Sequence, residues 1–141
     1  MRCAMSCTCA RRFVLVGVAS VFAARVARAS DNHREFIDAA FRMRDDAVRA
    51  GDQAYGAVVV KDGRIVGFGP SRVIQKKDPT AHAESEAIRD AQGKLGRDLS
   101  GAILYSSSRP CSACEQAAAE ANIARMIHGR SATDAGAPRK G

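Results

Sequence analysis

Phe36, Ile37, Ala40, Phe41, Met43, Ala47 and Val48 fall at helical spacing, with Arg and Asp between them. The pattern predicts a helix that opens in Ser30-Asp31-Asn32-His33 and ends near Gly51. His33 reads as a solvated first-turn residue. The period then changes. Residues 54 to 60 form a β-branched run of strand length, and Lys61-Asp62-Gly63 is a hairpin signal. Arg64 to Gly69 is the returning strand, closed by Pro70-Ser71. Arg72, Lys76 and Lys77 then read as a solvated loop. Asp78 suits an N-cap and Pro79 a first helical position, which predicts a helix from about Thr80 to Ala91, closed by Gly93 and Gly96. Ala102 to Tyr105 is a short apolar strand. Pro110 opens an Ala-rich second helix, and Ile123 to His128 is a further strand. Gly, Ser, Pro and Lys in residues 129 to 141 suggest a frayed tail. The order is helix, hairpin, helix, strand, helix, strand. Late alternation of strand and helix points to an α/β layered fold with parallel strands.

The first 29 residues follow a different pattern. Arg2, Arg11 and Arg12 precede an apolar run from Phe13 to Ala24, and Ala27-Arg28-Ala29 offers small residues at a cleavage site. A basic start, a short apolar core and an A-x-A site mark an export signal. The run is shorter than the about 20 apolar residues of a membrane span. Arg11-Arg12 raises the twin-arginine route. The expected organisation is a cleavable signal over residues 1–29, one domain over 30–136 and a tail over 137–141. The expected location is periplasmic or secreted, with no stable membrane span after cleavage.

Charge and cysteine change meaning once the signal is set apart. The chain carries 22 Lys and Arg against 15 Asp and Glu, a formal charge of +7. Five of those basic residues and none of the acids lie in residues 1–29, so the remainder stands at +2. That leaves no strong electrostatic case for nucleic acid, and tRNA is disfavoured as a partner. Cys3, Cys7 and Cys9 also belong to the signal, which leaves Cys111 and Cys114 and no disulfide framework.

The chemistry gathers between Asp78 and Cys114. His82-Ala83-Glu84 stands in one half and Pro110-Cys111-Ser112-Ala113-Cys114 in the other. Cys111 and Cys114 are one helical turn apart, so their sulfurs can face the same way. A helix start favours thiolate over thiol. His82, Cys111 and Cys114 supply three zinc ligands where a structural site takes four, which leaves one position for water. Zinc lowers the pKa of that water, and Glu84, near the metal without being a ligand, can carry its proton. H-x-E followed by P-C-x-x-C is the pattern of zinc-dependent nucleobase deaminases. Two other classes stay open: a non-catalytic zinc protein, and a periplasmic thiol–disulfide protein using Cys111 and Cys114.

On these motifs, and on Tyr55-Gly56-Ala57-Val58-Val59-Val60 and Ile127 to Gly136, the chain resembles the cytidine-deaminase-like superfamily. The loop and helix around His82 are most similar to those of bacterial guanine deaminases and tRNA adenosine deaminases. The resemblance implies a three-layer α/β/α sandwich around a mixed β-sheet, C-terminally short. It implies one zinc per chain, with zinc-bound hydroxide as nucleophile and Glu84 as proton shuttle. The reaction it implies is hydrolytic deamination of a nucleobase or nucleoside, with a small free substrate expected, and a homodimer is expected. It also makes Ala57 and Ser71 substrate contacts. Ser71 stands where those enzymes usually have a base-binding Asn, and Arg109 where they usually have Glu. The chain also ends soon after Gly136, where they continue with a last strand and helices.

Overall fold

The computed structural model describes residues 19–141, with side chains from residue 32 onward. The basic start of the expected export signal and the first half of its apolar run lie outside the described residues. Helix α1 (Ala19–Arg49) begins earlier than predicted and passes through Ala27-Arg28-Ala29. No Gly or Pro interrupts it between those bounds. Among the described residues, no helix is long and apolar enough to cross a membrane.

Strands β1 (Gly56–Lys61) and β2 (Arg64–Pro70) form the expected hairpin. Its two-residue turn holds Asp62 at φ 52° and Gly63 at φ 75°, the left-handed pair that Asp-Gly favours. A short α2 (Val73–Lys76) follows, then α3 (Ala83–Leu95), β3 (Ile103–Ser106), α4 (Ser112–Glu120), β4 (Arg125–His128) and β5 (Thr133–Gly136). The sheet order is β2-β1-β3-β4-β5. Only β3 and β4 run parallel; the other pairs are antiparallel, so the sheet is mixed.

The two faces of the sheet are filled by different helices. Ala57, Val59, Leu104 and Met126 point to one face and pack with Ala83, Ala87, Ile88 and Ala91 of α3 and Ala118 of α4. Val58, Val60, Tyr105 and Ile127 point to the other and pack with Phe36, Ile37 and Ala39 of α1. This alternation is the period of two of a sheet buried on both sides. The result is the expected three-layer α/β/α sandwich.

Small residues set how closely α3 approaches the sheet. A Cβ on Gly67 would lie 2.2 Å from the Ala87 carbonyl oxygen, and one on Gly69 would lie 2.0 Å from that of Ala83. No side chain fits there. The bare strand lets the helix backbone rest on β2, with Ala83 and Ala87 as its own small contacts.

Several local expectations are corrected. Asp78 does not cap α3. Its carboxylate accepts the Thr80 N–H at 2.8 Å and the Thr80 hydroxyl at 2.7 Å, and the Ala81 N–H closes a turn on the Asp78 carbonyl at 3.1 Å. The chain is then extended at His82 (φ −63°, ψ 155°), and α3 starts at Ala83. A local side-chain hydrogen bond has won over helix initiation. Likewise α4 starts at Ser112, after Pro110.

His33 is not merely solvated. Its Nδ1 lies 2.7 Å from the hydroxyl of buried Tyr105, which gives that hydroxyl its polar partner and ties α1 to β3. Arg72 and Lys76 are not a free surface either. Lys76 Nζ lies 2.7 Å and Arg72 Nε 3.9 Å from Glu86 of α3, whose side chain is only 7% exposed. Arg89 Nη1 adds a third cation at 2.9 Å. Residues 129 to 141 are not simply frayed: β5 pairs with β4, and the Arg139 N–H and Nε donate to Glu115 of α4 at 3.1 Å.

Gly69→Ala is expected to destabilise the domain by about 1–3 kcal/mol or more, because the intruding atom meets backbone that cannot swing away. Chemical denaturation measures it, with Gly93→Ala, where added atoms meet open space, as the comparison.

Candidate metal centre and active site

The site forms where the starts of α3 and α4 meet on one side of the sheet. His82 is the N-cap residue of α3 and Cys111 that of α4, both extended in backbone and neither using its side chain as a cap. Their side chains are therefore free to turn toward one another. Cys114 lies in the first turn of α4 and is buried. His82 Nδ1 is 3.6 Å from Cys111 Sγ and 3.5 Å from Cys114 Sγ. The three atoms form the single cluster of potential metal-ligating groups found among the described residues.

The edges of that cluster test the metal. Zinc takes sulfur at about 2.3 Å and imidazole nitrogen at about 2.1 Å; at a tetrahedral angle those bonds put N and S about 3.6 Å apart. The observed edges match. The electrostatics agree with a cation there. Burial, then the Glu84 carboxylate, then Cys111 push the Cys114 thiol upward, so its thiolate needs a compensating positive charge. A divalent ion bound by the triad supplies it. The Ser85 hydroxyl, 3.8 Å from Cys114 Sγ, supports the sulfur from behind.

Glu84 is the second residue of α3 and is 6% exposed. Burial holds its carboxyl above the usual range; its own backbone N–H, the Cys114 thiol and His82 offset part of that rise. His82, Glu84 and Cys111 form the inner wall of a cavity of about 580 Å³. Gln53 and Tyr55, between α1 and β1, and Ser108 and Arg109, before α4, complete its lining. Tyr55 is 48% exposed, so its ring is available at the mouth.

Of the residues expected from sequence, the structure thus brings together His82, Glu84, Cys111 and Cys114. Ala57 and Ser71 stand apart from the cavity wall. Ala57 is wholly buried in β1 among core side chains. Ser71 is 1% exposed, and its hydroxyl donates to Asp52 Oδ1 at 3.0 Å. Asp52 is a hub that sequence reading missed. It also accepts the N–H groups of Gln53, Ile74 and Gln75, at 2.8, 3.1 and 2.9 Å. Burial alone would raise the Asp52 carboxyl, yet these donors together with Ser71 hold it below the usual range. The Ser71 N–H donates to the Tyr55 carbonyl at 3.0 Å. Ser71 and Asp52 thus brace the loop that carries Gln53 and Tyr55. No periodicity marks such wall residues; only their places beside β1 and before Pro110 could have suggested them.

Comparison with known proteins places this geometry. Residues 30–130 match the family model for the cytidine and deoxycytidylate deaminase zinc-binding region. The chain belongs to this zinc deaminase family. It is 41% identical over 106 residues to a guanine deaminase of Bacillus subtilis (strain 168), covering 74% of this chain and 68% of that enzyme. It is 37% identical over 93 residues to a tRNA-specific adenosine deaminase of Aquifex aeolicus (strain VF5), covering 65% of this chain and 62% of that enzyme. The X-ray structure of the Bacillus subtilis guanine deaminase superposes with a TM-score of 0.66 at 39% identity, over 69% of this chain and 63% of that one. A tRNA:A34 deaminase structure gives 0.65 at 36% identity, over 67% of this chain and 70% of that one. The family binds zinc, and His82, Cys111 and Cys114 are the residues of this chain that fit it.

His82→Ala and Cys114→Ala are each expected to weaken zinc binding by more than about 100-fold, since loss of a mere supporting contact costs 10–100-fold. Competition with a chromophoric chelator reads this directly. A separate effect is expected at Asp52. Its carboxyl is lower in the folded protein than in the unfolded chain, so its contribution is complete above about pH 4 and fades as pH falls through the folded value. Asp52→Asn should therefore cost about 1–3 kcal/mol near neutrality and progressively less in acid, as followed by urea unfolding at several pH values.

Proposed function

We propose that this chain catalyses the hydrolytic deamination of an aminated nucleobase or nucleoside, releasing ammonia. The observation that carries the reading is Glu84: a buried carboxyl, held above its usual range, beside a three-ligand zinc site on the wall of one cavity.

A carboxyl raised by burial takes up a proton more readily than an exposed one and can give it back. Zinc, when bound, supplies the Lewis acidity that makes a water acidic enough to react near neutrality. Glu84 accepts the water proton and passes it to the ring nitrogen beside the aminated carbon. The water oxygen is by then bonded to that carbon; as the carbon–nitrogen bond breaks, Glu84 takes the proton of this hydroxyl and delivers it to the departing amine. Water has then been added and ammonia lost, and a carbonyl stands where the amine was. His82, Cys111 and Cys114 hold the metal, and the burial of Glu84 keeps bulk water from its carboxylate.

For recognition we place the ring of the substrate against Tyr55, whose exposed face offers stacking area at the mouth. The Gln53 amide offers one donor and one acceptor edge on the same wall. These two stand in for the contacts expected from Ala57 and Ser71. A small substrate is favoured over tRNA because the charge outside residues 1–29 is only +2. The relatives include enzymes named for guanine and for tRNA adenosine, so the choice rests on charge and not on kinship.

Export through residues 1–29 belongs to the same proposal. It is supported by the basic start, the apolar run and Ala27-Arg28-Ala29. Cleavage after Ala29 would spare every described contact of α1 with the sheet, including His33 with Tyr105 and Phe36 in the core. The homodimer stays part of the reading, since a small core gains from association.

Glu84→Gln is expected to lower ammonia release by about 10²–10⁴-fold with zinc content unchanged. The assay is an ammonia-release screen over cytosine, adenine, guanine and their nucleosides, with metal measured on the same samples. Release that is undiminished in Glu84→Gln would sink the role given to this carboxylate.

A further inference from the structure

Cys111 and Cys114 carry a second chemistry that metal binding does not use. They are the only cysteines among the described residues. Both thiols are free, Cys111 exposed and Cys114 buried. Their sulfur atoms lie within 4.8 Å of one another. Cys111 is the N-cap residue of α4, and its side chain makes no cap hydrogen bond. Its carbonyl accepts the Glu115 N–H at 2.9 Å, which holds its backbone in place. Rotation of the Cys111 side chain can therefore bring the sulfurs toward the about 2.05 Å of a disulfide without breaking a backbone hydrogen bond.

The surroundings of Cys114 favour two states of this pair. Burial and the Glu84 carboxylate both disfavour a bare thiolate at Cys114. Zinc compensates that charge, and a disulfide removes it. The two states exclude each other, because a metal needs the thiolates that the disulfide consumes. With the sulfurs joined, His82 is all that remains of the ligand set.

We infer that Cys111 and Cys114 form a thiol–disulfide modification site that competes with zinc: the reduced pair holds the metal, and the oxidised pair excludes it. The oxidant is a small disulfide of the glutathione class. The exposed Cys111 thiolate attacks one sulfur of the oxidant, which forms a mixed disulfide and expels one thiolate. The Cys114 thiolate then attacks Cys111 Sγ, which closes the Cys111–Cys114 bond and expels the second. Two electrons pass from the cysteine pair to the oxidant, and the two cysteine protons end on the departing thiolates. A thiol–disulfide protein of the ordinary kind uses such a pair in place of zinc; here the same sulfurs serve both, and zinc supply and oxidant decide between them. The inference rests on the zinc site and not on the deamination reaction. In the exported compartment proposed above disulfides persist, so zinc has to occupy the site before an oxidant reaches Cys111.

The test uses the full chain, zinc-loaded or stripped with a chelator that is then removed, in oxidised glutathione. Mass spectrometry of the peptide that contains both cysteines reads the bond as a loss of two hydrogens, and a chromophoric chelator reads zinc binding. The stripped chain is expected to form the Cys111–Cys114 bond, to lose zinc affinity in that state, and to regain it in dithiothreitol. Free zinc at ten times its dissociation constant is expected to slow the oxidation about tenfold, since it leaves about one chain in eleven unoccupied. Cys114→Ser should stop at a glutathione adduct on Cys111, and Cys111→Ser should give no adduct on Cys114; circular dichroism establishes that both are folded. A stripped chain that stays reduced in oxidised glutathione overturns the inference. So does a bond from Cys111 to any other cysteine in its place, or an oxidised pair that binds zinc as tightly as the reduced one. Ammonia release is followed on the same samples. Its absence from the reduced, zinc-loaded chain while the exchange proceeds sinks the deaminase reading alone. Ammonia from a chain whose cysteines resist oxidation sinks the inference alone.

Discussion

Everything at the metal centre depends on how closely α3 lies on β2. Two residues of strand advance about 6.6 Å and four residues of helix about 6.0 Å. Gly69 and Gly67 therefore meet Ala83 and Ala87 in step, each glycine facing a helix carbonyl that no Cβ could approach. The contact fixes the height and the rotation of the first turn of α3. Those two variables place His82 at the metal and Glu84 beside it, from residues only two apart. A helix held off by ordinary side chains would carry the same motif and present it elsewhere.

A second constraint acts on the loops. The connection from α1 to β1 contributes two wall residues but has little apolar surface of its own to anchor it. Its anchor is polar: the Asp52 carboxylate gathers Ser71, Gln53 and the first backbone N–H groups of α2. A buried acid with four donors is stable as the anion, and it locks three segments together at once. The ion cluster at Glu86 does the same for α2 and α3 with Arg72, Lys76 and Arg89. The Asp52 cluster thereby steadies the loop that brings Gln53 and Tyr55 to the cavity.

The helical face from Phe36 to Ala47, the Asp62-Gly63 hairpin and the alternation of strand and helix after Ala102 were all legible in the sequence, whereas Val48, read as part of that face, is exposed. They are local patterns, set by spacing and turn chemistry. The zinc ligands and Glu84 were legible as well, because H-x-E and P-C-x-x-C carry their geometry in their spacing once each half begins a helix. Asp78 and Ser71 were read differently from what the structure holds. Asp78 could cap a helix or close a turn, and its two hydrogen bonds from Thr80 together with the Ala81 N–H on its carbonyl settle the competition for the turn. Ser71 occupies a position that resemblance assigns to the substrate, but a hydroxyl this short is taken up by the carboxylate beneath it. The strand β5 lay hidden for another reason: its residues show no alternation, and pairing with β4 creates it.

The sequence by itself determined the metal-binding set, two thiols and one imidazole, and the carboxyl that stands beside it, together with the elements that carry them. Bonding preference and local periodicity belong to residue types and need no partner. The tertiary structure alone decided which other side chains line the cavity beside that site. Gln53 and Tyr55 precede β1, and Ser108 and Arg109 follow β3; the antiparallel pairing of those strands sets Ala57 opposite Ser106 and brings both loops to one end of the sheet. Their meeting depends on long-range packing, and no spacing along the chain encodes it.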